Sequence, residues 1–133
     1  MILVLDDDDI RHDLFTQFFQ EKCVHAYSFS EFKTKFHKNK YVLVFLDHDL
    51  GDLRKPELNE LNQEYTGKDV ALFLKNLPLN EQPPRVVIHS TNNEGSQEML
   101  NILKETNINV ERFKYVPGMD LSKFKEEAEH LKD

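Results

Sequence analysis

Met1-Ile2-Leu3-Val4-Leu5-Asp6-Asp7-Asp8-Asp9 and Tyr41-Val42-Leu43-Val44-Phe45-Leu46-Asp47-His48-Asp49-Leu50-Gly51 share one design. Each is an apolar run of strand length that stops at carboxylates. A strand that is apolar at every position is buried on both faces, and such strands belong to parallel sheets. Laid side by side, the two runs bring their carboxylates to one edge of the sheet. Carboxylates gathered this way repel one another. A hard divalent cation relieves the repulsion, and oxygen ligands suit Mg²⁺ or Mn²⁺. A third run, Arg85-Val86-Val87-Ile88, ends at His89-Ser90-Thr91-Asn92-Asn93 and adds polar groups to the same rim.

Between these runs the spacing becomes helical. Ile10, Leu14, Phe15, Phe18 and Phe19 predict a helix straight after the first strand, with Asp9 as its cap. Residues 24–27 read as a short second strand. Ser28 with Glu31 three residues on is a capping-box pattern, and Phe29, Phe32 and Phe36 continue it as a helix. Residues 41–46 form the third strand. Gly67 begins a helix with Val70, Phe73, Leu74 and Leu77 inward; Pro78, Pro83 and Pro84 end it and lead to the fourth strand, 85–88. The next helix follows Gly95, with Met99, Ile102 and Leu103 spaced for the core. Glu111, Arg112 and Lys114 interrupt residues 110–115, which makes that strand an edge. Pro117-Gly118 is a turn. Asp120 or Ser122 caps a last helix with Leu121, Phe124, Ala128 and Leu131 inward.

Strand and helix thus alternate along the chain, and right-handed crossovers place helices on both faces of a parallel sheet. The expected fold is α/β, a doubly wound five-stranded parallel sheet of strand order 2-1-3-4-5, as one domain over residues 1–133. Ligands of such sheets bind beyond the carboxyl ends of the strands, where the strand order reverses. The acidic ends of strands one and three fall there. The polar stretch 47–66 is long for a loop in a compact domain. It reads either as a lid over the acidic rim or as a surface insertion.

The 133 residues fit one core, with 31% charged and 39% hydrophobic residues in a soluble balance. A net charge of -7 argues against a broad groove for a nucleic-acid backbone, yet leaves room for a small phosphorylated ligand or an RNA end. No apolar run approaches the ~20 residues that span a bilayer. The start lacks the basic n-region of a signal peptide. Cys23, the single cysteine, excludes an internal disulfide and a cysteine-based zinc site, and a cytoplasmic location is the default. A glycine-rich phosphate loop is absent.

The paired acids after strand one, the Asp ending strand three and the small polar residue after strand four resemble the receiver domain of response regulators. The likeness covers the chain apart from 51–65. It implies that Asp6 and Asp7 bind Mg²⁺, that Asp47 binds it too and accepts a phosphoryl group, and that Asp49 lends the metal a backbone carbonyl. Two positions depart from the pattern. His89 followed by Ser90 stands where receivers have Thr or Ser. Val116 precedes Pro117 where receivers have lysine, and the nearest lysine is Lys114. That loss weighs against phosphorelay signalling. Leu46-Asp47-His48-Asp49-Leu50-Gly51, Thr66-Gly67 and His89-Ser90-Thr91-Asn92 together resemble a divergent branch, the cyclic-phosphate-processing receiver domain. This resemblance implies action on cyclic phosphate ends and a link to RNA repair.

The expected chemistry is that of a Mg²⁺-assisted phosphoesterase. Asp6, Asp7, Asp47 and Asp49 are the candidate metal ligands. Asp47, His48 and His89 are the candidate catalytic residues. Imidazole, with an ordinary pKa near ~6.5, can serve as base or acid at neutrality. Ser90 and Asn92 are candidate donors to phosphate oxygens. The partner is a phosphorylated small molecule or an RNA end, with no membrane involved; a protein partner enters if the chain signals. Two other functions stand beside the hydrolase: a stand-alone receiver phosphorylated on Asp47, and a non-catalytic binder of a phosphorylated nucleotide. Each residue also has a structural reading. Asp6 to Asp9 could be a solvated strand end, and Asp8 and Asp9 suit a helix N-terminus. His48 could point into solvent, and His89 could be a satisfied rim histidine. His12, His25, His37 and His130 receive no chemistry, and Cys23 is a small packing residue.

Overall fold

The computed structural model describes residues 1–51 and 57–131. Its strands are β1 Ile2–Leu5, β2 Cys23–Ala26, β3 Leu43–Leu46, β4 Arg85–Ile88 and β5 Asn109–Arg112, all parallel in the order β2-β1-β3-β4-β5. Helices α1 Asp9–Phe19, α2 Phe29–Phe36, α3 Gly67–Lys75, α4 Asn93–Leu103 and α5 Ser122–His130 cover the two faces. This is the expected doubly wound sheet. No helix among the described residues is long and apolar enough to cross a membrane.

β1, β3 and β4 are buried at every position, which explains their unbroken apolar sequence. The alternation of a strand then divides each run between two cores. Leu3, Leu5, Val44, Leu46, Val86 and Ile88 pack with Phe32 of α2, Val70 and Leu74 of α3 and Met99 and Leu103 of α4. Ile2, Val4, Leu43, Phe45 and Val87 pack with Phe15 and Phe19 of α1 and Phe124 of α5. Each such side chain, fully buried, contributes roughly 1.5–3 kcal/mol. β5 lies at the edge, as its charged residues predict, and none of its residues is fully buried.

Several boundaries shift for local reasons. Asp8, not Asp9, caps α1, accepting a hydrogen bond from the Ile10 N–H. Ile10 is exposed, and α1 buries His12, Phe15 and Phe19 instead. β3 begins at Leu43 because Tyr41 turns its hydroxyl to the Lys35 carbonyl at the end of α2. α4 begins at Asn93, ahead of Gly95, because the Asn92 side chain caps it. The Asp120 carboxylate accepts from Ser122 N–H at the start of α5.

Of the loop expected as a lid or an insertion, residues 52–56 lie outside the described residues. Leu58 bridges Glu64 in antiparallel fashion, and the Tyr65 ring lies 4.9 Å from that of Phe29. Glu57 accepts hydrogen bonds from the backbone N–H and hydroxyl of Ser30, so this part of the loop is fastened to the start of α2.

Candidate metal and phosphate site

The site follows from sheet register. Leu5 pairs with Leu46, and Leu46 with Ile88. One residue further, Asp6, Asp47 and His89 prolong the same row. The Asp47 N–H donates to Leu5 O at 3.0 Å and the His89 N–H to Leu46 O at 3.0 Å. Alternation puts all three side chains on the face of Val4, Phe45 and Val87, beneath α1. Adjacent strands are ~4.8 Å apart. One ligand atom from each of Asp6, Asp47 and His89 accordingly lies within 4.8 Å of the others. All three residues are buried, at 0%, 2% and 0% exposure, so their polar atoms must be satisfied by one another or by a ligand.

His89 Nε2 donates to Asp6 Oδ2 at 2.7 Å, and its ring packs against Phe15 and Phe45. Its Nδ1 is buried and has no hydrogen-bond partner. Burial alone would raise the Asp6 carboxyl. The hydrogen bond and charge of His89, with Arg11 and the Asp8 N–H, hold it below its ordinary value. Asp47 goes the other way. Burial, and then the neighbouring Asp6, push it up to about 7 against His89, Arg11 and the His48 N–H. Two acids side by side are thus driven apart, one ionised and one reluctant to ionise. Asp47 Oδ1 accepts from His48 N–H at 2.8 Å, whereas Oδ2 is buried and accepts no hydrogen bond.

Arg11, in the first turn of α1, reaches into this pocket. Its Nε is 3.2 Å from Asp6 and 3.5 Å from Asp8; its Nη2 is 3.8 Å from Asp47 and 3.9 Å from Asp7. Asp7 and Asp47 therefore flank one nitrogen and share one pocket. The guanidinium also lies over the Tyr115 ring, 5.4 Å from its centroid. Its pKa is raised: burial works against the charge, but Asp6, Asp47, Asp8 and Asp7 outweigh it. Lys114, the lysine nearest the position that receivers use, is exposed.

His48, Asp49 and Asn92 form a second group at the mouth. His48 Nδ1 is 2.8 Å from Asp49 Oδ1, and Asn92 Nδ2 donates to the same oxygen at 3.2 Å. Asn92 Oδ1 is engaged by Gly95 N–H in capping α4. Ser90 is buried, and its hydroxyl accepts from Asn92 N–H at 3.1 Å. The Asp49 side chain is 55% exposed and lies outside the Asp6–Asp47–His89 cluster. Two glycines make the arrangement possible. A Cβ on Gly67 would collide with the Asp47 carbonyl and with Met99, and a Cβ on Gly95 would lie 2.5 Å from the His48 ring. Gly67 N–H donates to His48 O at 2.8 Å, and Thr66 with Asp69 closes a capping box at the start of α3.

Sequence reasoning passed over two residues. Arg11 left one signal, since a cation in the first turn opposes the helix dipole and needs a reason to be there. His12 shares the spacing of Phe15 and Phe19. Its Nε2 donates to the Asp6 carbonyl at 2.7 Å, so His12 supports the site acid from below. That bond leaves His12 Nδ1 to accept from His25 Nδ1 at 2.6 Å. With His89 Nε2 committed to Asp6, the donors left at the rim are carboxylate oxygens, and Asp47 offers a buried one with no hydrogen bond. This set fits Mg²⁺ or Mn²⁺.

A family model described as the cyclic-phosphate processing receiver domain matches residues 1–105. Curated proteins give no match. Solved structures similar to the chain include a two-component response regulator from Clostridium difficile, at 19% identity and TM-score 0.66, covering 98% of this chain and 93% of that one. A CheY-like receiver domain from Methylobacillus flagellatus has 13% identity and TM-score 0.66, with 98% and 97% covered. The response regulator TrrA from Thermotoga maritima, solved in complex with Mg²⁺ and BeF, has 18% identity and TM-score 0.63, with 98% and 97% covered. At these identities the structural likeness establishes the fold alone.

Proposed function

The chain belongs to the cyclic-phosphate processing receiver family, and from that premise we propose that it binds and hydrolyses a cyclic phosphate, on a nucleotide or an RNA end, with Mg²⁺ or Mn²⁺ as cofactor. One observation supports this above the rest: the buried Asp47 oxygen that accepts no hydrogen bond, on a carboxylate grouped with Asp6 and His89 so that one ligand atom of each lies within 4.8 Å of the others. Asp6, Asp7 and Asp47 would hold the ion. Bound there, it would offset phosphate charge and polarise a water molecule.

The protein's own groups divide the proton work. The Asp49 carboxylate accepts the Nδ1–H of His48 and so leaves His48 Nε2 as a base. His89 holds Asp6 through Nε2–H, the His89 proton that faces the site and the one it would give as acid. In hydrolysis the water oxygen bonds to phosphorus and its proton goes to His48. The ring P–O bond breaks, and the departing ribose oxygen takes a proton from His89. Ser90 and Asn92 stand at the α4 N-terminus, where backbone N–H groups favour an anion.

The test is turnover of 2′,3′-cyclic nucleotides with Mg²⁺ or Mn²⁺. Purified protein should yield a nucleoside monophosphate, and Asp47→Ala and His89→Ala should lose most of the rate. Absence of turnover by wild type, or equal turnover by the variants, removes the hydrolase. The same bare Asp47 oxygen suits a second reading, a receiver phosphorylated on Asp47. A stable mass adduct on Asp47 after incubation with acetyl phosphate would favour it.

A further inference from the structure

Arg11 is held among carboxylates in an unusual way. Charge-assisted hydrogen bonds between guanidinium and carboxylate run at about 2.7–2.9 Å and are often bidentate. Every Arg11 ion pair here is longer, from 3.2 to 3.9 Å, and none is a fork. Its Nε is buried without a hydrogen bond of good geometry, although Asp6 and Asp8 flank it. A guanidinium that served only to fasten α1 to the sheet would dock squarely on one acid. This one sits at the centre of charge of Asp6, Asp7, Asp8 and Asp47 and belongs to none of them. The Tyr115 ring under it is an uncharged face on which the guanidinium can slide without losing contact. Among the described residues, Arg11 is the Lys or Arg in ion-pair range of Asp47, and Lys114 is exposed.

We propose that Arg11 is an exchangeable counter-ion: it neutralises the acidic rim while no divalent ion is bound, is turned away from the carboxylates when one enters, and then grips the phosphate of the ligand. The first half follows from charge. A divalent ion among these acids does what the guanidinium does, at shorter range, and the two cations repel. The second half follows from chemistry. A guanidinium freed from carboxylates at the mouth of a phosphate site is the group best shaped to take two phosphate oxygens. The role that receivers give to a lysine at the end of the fifth strand would thus pass to the first helix. This inference rests on the reading of the rim as a divalent-ion site.

Opposite shifts in two affinities test it. Wild type, Arg11→Gln and Arg11→Lys are titrated by calorimetry with Mg²⁺ and Mn²⁺, and then with inorganic phosphate at saturating Mg²⁺. Far-UV circular dichroism checks that each is folded. Arg11→Gln, which removes the competing charge, should bind the metal ~10-fold more tightly and phosphate ~10-fold more weakly. Arg11→Lys keeps the charge but not the fork, so its metal affinity should stay near wild type while phosphate binding falls. Equal or weaker metal binding by Arg11→Gln, or undiminished phosphate binding by both variants, overturns the counter-ion while leaving the metal site standing. Metal binding by Arg11→Gln alone supports it. No metal binding by any of the three ends both this inference and the function on which it rests.

Discussion

Asp47 is the residue at which the fold works hardest against its own chemistry. Its carboxyl titrates at 3.8 in an unfolded chain and at about 7 in the folded one. Between those values the folded protein keeps a proton that the unfolded chain has lost. Stability without metal therefore falls as pH rises through this window and levels off above it. At 1.36 kcal/mol per pH unit, the cost of ionising Asp47 is about 4 kcal/mol. Asp6 has the opposite sign: its pKa is lowered, so its contribution is present above the ordinary carboxylate range and is lost on acidification. His12 and His25, both lowered by burial, add stability as pH rises through the imidazole range. A difference between wild type and Asp47→Asn cancels His12 and His25 and reports the coupled Asp6–Asp47 pair. The variant should melt several degrees above wild type in EDTA near pH ~8, with the gap closing toward pH ~5. Mg²⁺ should then raise the melting temperature of wild type more than that of the variant. A variant less stable than wild type in EDTA at the alkaline end would show that the buried charge is already compensated. Asp6, Asp7, Asp47 and His89 were legible in the sequence because an apolar run that stops at a charge marks a strand end. Arg11 and His12 were not, because one helix turn of mixed polar residues looks like any solvated face until the sheet beneath it is known.

At the level of elements, the site depends on how closely two helices approach the strand ends. Gly67 opens α3 against the Asp47 carbonyl, and a methyl group there would press on backbone and on Met99. Backbone cannot yield as a flexible side chain can. Gly67→Ala should therefore cost at least ~1–3 kcal/mol in urea denaturation, comparable to overpacking a core. Gly95→Ala meets the His48 ring, a side chain rather than backbone, 14% exposed and hydrogen-bonded to Asp49. It should lower turnover of a cyclic nucleotide and cost less unfolding free energy than Gly67→Ala, because a side chain can yield where backbone cannot. If both substitutions cost the same stability, His48 is wedged and not merely seated. The sequence marked Thr66-Gly67 as a family feature, and the structure supplies the steric reason for it. That β1, β3 and β4 are central strands was legible because they carry no polar residue that could face water, apart from Arg85 at the first position of β4. Helix starts were less so. Asp8 and Asp9, or Asn92 and Gly95, are equally good as letters. Only the hydrogen bonds to Ile10 N–H and Gly95 N–H decide between them.

Across the whole molecule, charge sets what the rim can recognise. The chain carries a net charge of -7, and several of its basic side chains are paired with acids. Lys68 faces Glu98, Lys75 faces Glu105, Lys123 faces Glu111, and Arg85 is shared by Glu111 and Glu127. A net charge of -7 gives a polynucleotide backbone little long-range attraction to this chain. On the proposed function, recognition would fall to the terminal phosphate, held at the rim by Arg11 and an ion on Asp6 and Asp47. Two measurable consequences follow if RNA ends are the substrate. The value of kcat/KM for a 2′,3′-cyclic-phosphate end should change by less than about threefold between a mononucleotide and an oligonucleotide, because added nucleotides find no complementary charge. Its dependence on salt should also be shallow, with a log–log slope near about -1, since roughly one phosphate is engaged. A rate that climbs steadily with oligonucleotide length, or a slope several times steeper, would mean that the strand is tracked by a surface other than the acidic one described here.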